Sequence, residues 1–286
     1  MGSEFLLKVT LWGTRGSLAD AGPQTVRYGG NTACVEIQGE DGSVLVLDAG
    51  TGIRRLGTGL AREVRRVDIL LTHLHMDHIQ GLGFFAPLYQ SGMEVHIWGP
   101  PSAMQGLRTR LARYMSPPLF PVLIRDLPCD LQIHDAPRGR FTIGEFVIDA
   151  DLVCHPGPTM GFRITERDAA VCYLPDHEPA LGAREFPMAR RWTSGHDLAL
   201  DSDLLIHDAQ YADDEYETQI GWGHSTMSQA MRFAAMVRAR RLVTFHHDPS
   251  HDDASLDALV DRTQAECDCD VDLVAGTEGA SFIVKS

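Results

Sequence analysis

The chain has 286 residues, of which 44% are hydrophobic and 22% are charged, and its formal net charge is −14. This composition is typical of an ordinary globular protein with enough apolar material for a large core. No run of 18 apolar residues occurs, which excludes a membrane-spanning helix. An acidic surface repels phosphate backbones, so we expect no large nucleic-acid footprint.

Several features bear on the compartment. Residues 1–5 read Met-Gly-Ser-Glu-Phe, which is typical of a cloning remnant, and we expect the natural chain to begin near Leu6. No charged segment followed by an apolar segment opens the chain, so we expect no signal peptide. The six cysteines are scattered, and several lie in apolar runs, a pattern typical of buried, reduced thiols. These features predict a cytoplasmic protein.

The first half of the chain alternates predicted strands with glycine-rich turns. Residues 39–42, Gly-Glu-Asp-Gly, separate two of these strands and are a hairpin signal. Residues 116–121 contain three prolines, which exclude a helix interior and predict a stiff loop with one exposed aromatic residue, Phe120. The predicted strands are 6–12, 32–38, 43–47, 67–72 and 95–98, and the predicted helices are 53–63, 83–91 and 102–114.

The second half repeats the alternation. Residues 225–240 have helical periodicity, with Ser225 or Thr226 near the N-cap. Strands come first and then alternate with helices, twice over, and no low-complexity linker divides them. This order predicts two sheets packed face to face with helices outside, in one domain spanning residues 1–286. The remaining predicted strands are 141–148, 151–154, 161–165, 169–174, 204–207, 242–245, 271–274 and 281–284, and the remaining helix is 254–266.

A histidine-rich segment follows a predicted buried strand, and residues 73–78 read His-Leu-His-Met-Asp-His. Three imidazoles and a carboxylate so close together are far more specific than a lone histidine. Imidazole nitrogen suits zinc, and a mixed set of nitrogen and oxygen also suits manganese or iron. His73 and His75 can face one metal ion while Asp77 and His78 face a second. A polar loop that happens to be rich in histidine is the alternative.

Three further residues that can bind a metal stand at the ends of predicted strands. They are His155, Asp176 and His246, and functional sites cluster at such positions. A lone histidine at a strand end is more typical of a surface residue, but three such residues beside the first segment favour a metal site. His247 directly follows His246 and is the alternative to it as a metal ligand.

This pattern resembles the metallo-β-lactamase superfamily, and within it the ribonuclease Z and phosphodiesterase branch. The likeness covers nearly the whole chain, including the strand that ends in Asp48-Ala49-Gly50 and the segment 72–82. It implies a four-layer αββα sandwich that holds two divalent metal ions, Zn²⁺ first, with Mn²⁺ or Fe²⁺ as alternatives. By this resemblance one ion is held by His73, His75 and His155 and the other by Asp77, His78 and His246, while Asp176 bridges both and Asp48 orients a ligand.

Two segments resemble the residues with which ribonuclease Z protonates its leaving group. By this likeness His224, in the run Trp-Gly-His-Ser-Thr at 222–226, protonates the leaving alkoxide, and Asp208 orients it. Ribonuclease Z usually has glutamate at the second position. Asp77 would also act in catalysis, because it can orient a metal-bridging hydroxide. The alternative is that His224 only enters a helix and that Asp208 is a solvated loop acid.

The resemblance also guides the expected substrate. Ribonuclease Z carries a long tRNA-gripping arm between its third histidine and its bridging aspartate, whereas only 20 residues separate His155 from Asp176 here. Together with the acidic surface, this predicts a small phosphodiester substrate, such as a cyclic nucleotide, and family likeness predicts a homodimer. One alternative is a lactonase, thioesterase or β-lactamase of the same fold. Another is a sensor or binding module that holds metal without turnover.

Overall fold

The computed structural model describes residues 6–179, 182, 186, 189–267 and 269–285, so the predicted cloning remnant lies outside the described residues. In chain order the strands are β1 (Leu6–Gly13), β2 (Cys34–Gln38), β3 (Val44–Leu47), β4 (Arg66–Leu70), β5 (Glu94–Gly99), β6 (Asp130–Asp135), β7 (Gly139–Ile143), β8 (Phe146–Leu152), β9 (Met160–Glu166), β10 (Ala169–Leu174), β11 (Leu204–Asp208), β12 (Arg241–Phe245), β13 (Asp272–Ala275) and β14 (Ser281–Lys285). The α-helices are α1 (Ile53–Gly59), α2 (Met76–Ile79), α3 (Leu107–Leu111), α4 (His196–Ala199), α5 (Asp213–Tyr216), α6 (Met227–Met236) and α7 (Asp253–Glu266).

The strands form two seven-stranded sheets with matching architecture. Their orders are β14-β1-β2-β3-β4-β5-β6 and β13-β12-β11-β10-β9-β8-β7. In the first sheet the strands from β3 to β6 are parallel and the others antiparallel. In the second sheet the strands from β10 to β13 are parallel and the others antiparallel. Parallel neighbours need crossover connections, which carry the helices to the outer faces.

The apolar side chains form three clusters that define the layers. The first cluster lies between the sheets and includes Leu45 and Phe162. The second covers the outer face of the first sheet and includes Leu56 of α1. The third covers the outer face of the second sheet and includes Phe233 of α6 and Leu256 of α7. Burial on both faces of each sheet explains the continuous apolar runs of the central strands. These layers confirm the predicted αββα sandwich.

The caps of two helices follow from their sequences. The Thr226 side chain accepts a hydrogen bond from the Gln229 backbone at the start of α6, which confirms one of the two predicted caps. At the start of α7 the Asp252 side chain accepts a hydrogen bond from Ser255 in the same way. Such caps satisfy backbone donors that have no partner within the helix. Among the described residues, every helix is too short or too polar to span a bilayer.

Two predicted helices are wrong. Residues 83–91 form two 3₁₀ turns, Leu82–Phe84 and Ala86–Tyr89, because Phe85 between them has an extended backbone. The apolar spacing of three residues suits a 3₁₀ turn as well as an α-helix. In the predicted helix 102–114 only α3 is α-helical, and Gly106 lies at its N-cap with an extended backbone.

Errors among the strands also have a local cause. The predicted strand 141–148 is a hairpin of β7 and β8, which turns at Gly144 with a φ of 54°. Strand β6 was not predicted. It is a short edge strand whose alternation rests on only two apolar residues, Leu131 and Ile133, which is a weak signal. The predicted exposure of Phe120 in the proline-rich loop 116–121 is also wrong. Phe120 is only 6% exposed and packs against Phe84, whereas its neighbour Leu119 is 70% exposed.

Candidate metal centre

Most of the predicted site residues follow the carboxyl ends of parallel strands in the two sheets, whereas His155 follows the antiparallel strand β8 and His224 precedes α6. In an open α/β sheet this edge is where functional side chains from different strands meet. Asp48 and His246 both adopt left-handed backbone conformations directly after their strands, with φ values of 59° and 61°. The strands that deliver the residues are β3 for Asp48, β4 for His73 to His78, β10 for Asp176, β11 for Asp208 and β12 for His246.

A first group of side chains comprises His73, His75, His155 and Asp176, and its potential ligand atoms all lie within 4.8 Å of one another. His155 Nε2 lies 3.3 Å from His75 Nδ1 and 3.7 Å from Asp176 Oδ2. His73 Nε2 also lies 3.7 Å from Asp176 Oδ2. His75 is exposed while the other three are buried, so this group opens to solvent on one side.

A second group comprises Asp77, His78, Asp176 and His246, all buried, with potential ligand atoms within the same 4.8 Å limit. His246 Nε2 lies 3.1 Å from Asp77 Oδ2 and 3.3 Å from Asp176 Oδ2. His78 Nε2 lies 2.9 Å from Asp176 Oδ1, but neither atom makes a well-directed hydrogen bond. Asp176 thus belongs to both groups, as expected for a bridging ligand.

The ring nitrogens of four histidines are arranged in the same way. In His73, His78, His155 and His246 the Nδ1 atom has a hydrogen-bond acceptor, which assigns the proton to Nδ1 and leaves Nε2 free to bind a cation. The acceptors are Thr72 Oγ1 at 3.0 Å from His73, Asp48 Oδ2 at 2.8 Å from His78, the Gly223 carbonyl at 2.9 Å from His155 and Gln210 Oε1 at 2.9 Å from His246.

The electrostatics of these groups fit divalent cations. His73 Nε2 and His78 Nε2 are buried without a hydrogen-bond partner. Burial, aided by the nearby His78, holds the pKa of His73 well below its usual value. For His246, burial favours the neutral ring, but Asp176 and Asp77 outweigh it and raise its pKa to about 9. Buried carboxylates therefore need positive charge here, and bound metal ions would supply it while satisfying the free nitrogens.

Asp48 supports the site from within the core. Its carboxylate accepts hydrogen bonds from the Thr72 backbone at 2.8 Å, from His78 Nδ1 at 2.8 Å and from the Tyr173 hydroxyl at 3.0 Å. These contacts suit the predicted orienting role, because they fix the ring of His78 without bringing Asp48 into either group. Sequence reasoning missed the contact of Tyr173, whose pKa is raised well above its usual value by burial and by Asp48.

His224 and Asp208 form a pair beside both groups. His224 Nδ1 lies 2.6 Å from Asp208 Oδ2. The ring of His224 stacks on that of His246 at a centroid distance of 4.9 Å and meets that of His155 edge-on at 4.9 Å. Backbone amides of His177, Gln210 and Ser225 donate to Asp208 at 3.0–3.1 Å. Asp208 is therefore a fully buried, fixed acid, and the alternative of a solvated loop acid is wrong.

The adjacent residues His246 and His247, which follow β12, have side chains with different partners. His246 joins the second group, whereas His247 Nε2 lies 2.9 Å from the Gly276 carbonyl. Burial lowers the pKa of His247 to about 3, so its ring is held neutral. Sequence reasoning missed Gln210, which contacts His246 from 36 residues away. The geometry thus brings together all seven predicted ligands, with His246 rather than its rival.

Comparison with known proteins gives consistent relatives. The model of the Beta-lactamase superfamily domain matches residues 44–247, more than half of the chain. Ribonuclease Z from Myxococcus xanthus (strain DK1622) is 27% identical over 73% of this chain and 79% of its own length. Ribonuclease Z from Anoxybacillus flavithermus is 26% identical over 82% and 87%. The metallo-beta-lactamase fold protein YhfI from Bacillus subtilis superposes with a TM-score of 0.70 at 20% identity, covering 98% of this chain and 100% of its own.

These relatives correct one prediction. The expectation of a small phosphodiester substrate without a large nucleic-acid footprint is wrong, because relatives that match most of the chain are named ribonuclease Z. The net charge of −14 is summed over the whole chain and does not report the field at the site, where bound metal ions would reverse its sign. The homodimer stays a prediction.

Proposed function

Because this chain belongs to the beta-lactamase superfamily, in its ribonuclease Z and phosphodiesterase-like branch, and is a hydrolase of the metallo-β-lactamase fold, we propose that it hydrolyses phosphodiester bonds with bound metal ions. The observation that carries this proposal is the His224–Asp208 pair, with its 2.6 Å contact beside both groups. An alkoxide leaving group needs a proton, which such a pair can supply. The leaving groups of β-lactams and thioesters have no specific need of it.

Two divalent metal ions fit this site, with Asp176 shared between them and three further ligands for each. Such ions lower the pKa of bound water and stabilise charge on phosphoryl oxygens. The prevalence of imidazole favours Zn²⁺, and the two carboxylates leave Mn²⁺ or Fe²⁺ as alternatives. The proposed ligands are His73, His75 and His155 on one side, Asp77, His78 and His246 on the other, and Asp176 between them.

His224 is the proposed general acid. Asp208 accepts a hydrogen bond from its Nδ1, so Nε2 is the atom left to give a proton to the leaving oxygen. Three backbone amides hold Asp208 in place, and a fixed partner keeps the imidazole in one orientation through the reaction. Asp77 Oδ2 accepts a hydrogen bond from the Ser17 backbone at 2.8 Å and lies 3.1 Å from His246 Nε2. The carboxylate is thus held at the second group, where it would bind a metal ion and orient the attacking water.

The names of the relatives bring RNA into the proposed range of substrates. Ribonucleases of this kind cleave a phosphodiester whose leaving group is a ribose alkoxide, which matches the need for a proton at His224. The strands β9 and β10 that lie between His155 and Asp176 form a plain hairpin without an inserted arm. Any RNA is therefore expected to be gripped by other parts of the surface. A cytoplasmic location stays a prediction.

The test compares substrates that differ in leaving group. Metal-stripped protein is reconstituted with Zn²⁺ or Mn²⁺ and given an RNA with a 3′ extension, 2′,3′- and 3′,5′-cyclic nucleotides, and bis-p-nitrophenyl phosphate, beside a lactone, a thioester and a β-lactam. We expect metal-dependent phosphodiester hydrolysis that Asp77→Ala abolishes. His224→Ala should lower kcat for RNA by roughly 10²- to 10⁴-fold. It should lower kcat much less for bis-p-nitrophenyl phosphate, whose phenolate leaves without a proton.

Three results would count against the proposal or against one of its parts. Turnover of a lactone, thioester or β-lactam with no phosphodiester cleaved would assign the protein to another hydrolase class. Full metal loading with no turnover of any substrate would favour a binding or sensor module. An equal loss for both leaving groups in His224→Ala, at unchanged metal content, would exclude His224 as the general acid.

A further inference from the structure

Glu178 is a buried carboxylate with four hydrogen-bond donors around it. Its side chain is only 1% exposed. Oε1 accepts hydrogen bonds from the Tyr216 hydroxyl at 2.7 Å, from the Gly221 amide at 3.0 Å and from the Gly182 amide at 3.1 Å. Oε2 accepts a hydrogen bond from the Gly223 amide at 2.9 Å. A charged acceptor satisfied in this way is among the stronger contacts available to a loop.

Two of these donors bracket one tight turn, Gly221-Trp222-Gly223. Gly221 and Gly223 have φ values of 86° and 90°, a region that residues with a side chain rarely adopt. Trp222 between them is 61% exposed. Its side chain therefore adds no core packing, and the turn is held through its backbone. The Trp222 amide donates to the Gln219 carbonyl at 3.0 Å, and the amides of the two glycines donate to Glu178.

This turn reaches the candidate site at two points. The Gly223 carbonyl lies 2.9 Å from His155 Nδ1, so it fixes the ring of one residue of the first group. The next residue along the chain is His224, the proposed general acid. A Cβ atom on Gly223 would lie 2.5 Å from His155 Nδ1, so the two backbones are packed closely and a displaced turn would displace the ring.

We propose that Glu178 is a positioning residue that fixes the turn 221–223, and through it both the first metal group at His155 and the proton donor His224. This inference rests on the proposed function only for the part that concerns His224. The effect on His155 holds for any metal-binding protein with this site. The Glu178 side chain makes no hydrogen bond to His155 or His224 in the described structure, so it is not a catalytic residue.

The change Glu178→Gln isolates this role because glutamine has the same shape. Its amide group offers one acceptor oxygen and two N–H donors. If the glutamine oxygen faces Tyr216 and Gly221, the glutamine nitrogen faces the backbone N–H of Gly223. Two hydrogen-bond donors then face each other, and Gly223 has no acceptor. If the amide is flipped, Gly223 keeps its acceptor but Gly221 and Tyr216 lose theirs. At least one turn amide is therefore left without a partner in either orientation.

Tyr216→Phe is the matched control. It removes one donor to the same carboxylate and leaves the bonds to Gly221 and Gly223 in place. The experiment measures hydrogen–deuterium exchange of peptides covering 217–226, release of bound zinc to a chelator, and kcat for RNA and for bis-p-nitrophenyl phosphate. The wild type and both variants are compared with zinc bound.

We expect Glu178→Gln to accelerate exchange in 217–226, to accelerate zinc release, and to lower kcat for RNA by about 10- to 100-fold, with a smaller loss for bis-p-nitrophenyl phosphate. Tyr216→Phe should stay near the wild type. Unchanged exchange and zinc release in Glu178→Gln, or equal effects in both variants, would overturn the inference. If Glu178→Gln does not fold, the wild type decides, since rapid exchange of its turn amides would also overturn it. Exchange and zinc release need no turnover, so a failure of the proposed function would be recognised separately.

Discussion

The protein buries two histidine clusters next to each other, and only one of them has the character of a metal site. In the second cluster His177 Nδ1 donates to His207 Nε2 at 2.9 Å, and His207 Nδ1 donates to the Asp208 carbonyl at 2.7 Å. Phe233 packs against the ring of His207 at a centroid distance of 4.8 Å. Burial lowers the pKa of His207 to about 4, and burial together with His207 lowers that of His177 well below its usual value.

The difference between the clusters lies in what the ring nitrogens face. In four of the five histidines at the metal centre, all except His75, an oxygen acceptor takes the Nδ1 proton and Nε2 points toward the carboxylates of Asp77 and Asp176. In the His177–His207 pair one ring is the acceptor of the other, and the second ring donates to a backbone carbonyl. Histidine content therefore does not identify a metal site. A candidate metal site is indicated by unprotonated ring nitrogens that point toward the same buried carboxylates.

The largest expected effect comes from removing the shared carboxylate. Asp176→Asn keeps the size of the side chain but removes a negative charge from both groups. We expect metal to be lost from both groups and hydrolysis to be abolished, as measured by elemental analysis of metal per chain after dialysis and by turnover. His207→Gln, in the second cluster, should keep its full metal content. Retention of two metal ions by Asp176→Asn would show that the carboxylate does not bridge.

A smaller effect is expected from the residue that orients His246. Gln210 Oε1 accepts the Nδ1 proton of His246, and its amide nitrogen donates to Asp248 at 3.1 Å. Gln210→Ala removes this acceptor, and losses of this kind weaken metal affinity by about 10- to 100-fold. Gln210→Glu keeps an acceptor oxygen for His246 but loses the donor to Asp248, so a loss of affinity that only Gln210→Ala shows would assign the effect to His246. Competition with a zinc chelator measures both, and equal affinity in the wild type and Gln210→Ala would argue against the orienting role.

The residues that the structure gathers at the candidate metal centre could be singled out from the sequence because their signal is local. Residues 73–78 stand together, and His155, Asp176 and His246 each mark the end of an apolar strand. The layered fold could be predicted for the same reason, since continuous apolar runs report burial on both faces of a sheet. By contrast, the predicted helix over residues 83–91 is wrong. The buried residues Leu82, Phe85 and Leu88 are spaced three apart, and that spacing does not separate an α-helix from successive 3₁₀ turns.

Two supporting residues, Gln210 and Glu178, could not be predicted, because their partners are distant in sequence. Gln210 meets His246 across 36 residues, and Glu178 meets Gly223 across 45. Nothing in the neighbourhood of either residue reports these contacts, which exist only once the sheet edge and the turn 221–223 are assembled. The substrate class was misjudged for a related reason. Net charge is a property of the whole surface, whereas recognition depends on the local field and shape of one face.

The smallest expected effect concerns the pH dependence of stability and tests the second cluster. His207 has a pKa of about 4 in the folded protein, against an ordinary value of 6.5. Between these values the unfolded chain binds more protons than the folded one, so stability falls as pH falls from about 6.5 to 4 and the loss is complete below that range. At pH 5 the contribution of His207 is a loss of roughly 2 kcal/mol relative to neutral pH.

Glutamine does not titrate, and its amide oxygen can take the place of His207 Nε2 as the acceptor of the hydrogen bond from His177. Its amide has no donor at the position of Nδ1, so the bond to the Asp208 carbonyl is lost. Denaturant unfolding of metal-free protein at pH 7.5 and pH 5 should therefore show a smaller drop in unfolding free energy for His207→Gln than for the wild type. The absolute stability of the variant does not matter for this comparison, because each protein is its own reference at neutral pH. An equal drop in both proteins would mean that His207 accepts a proton in the fold. The second cluster would then resemble the second group of the metal centre, where buried carboxylates favour a charged His246 ring. Its hydrogen bonds alone do not indicate such a likeness.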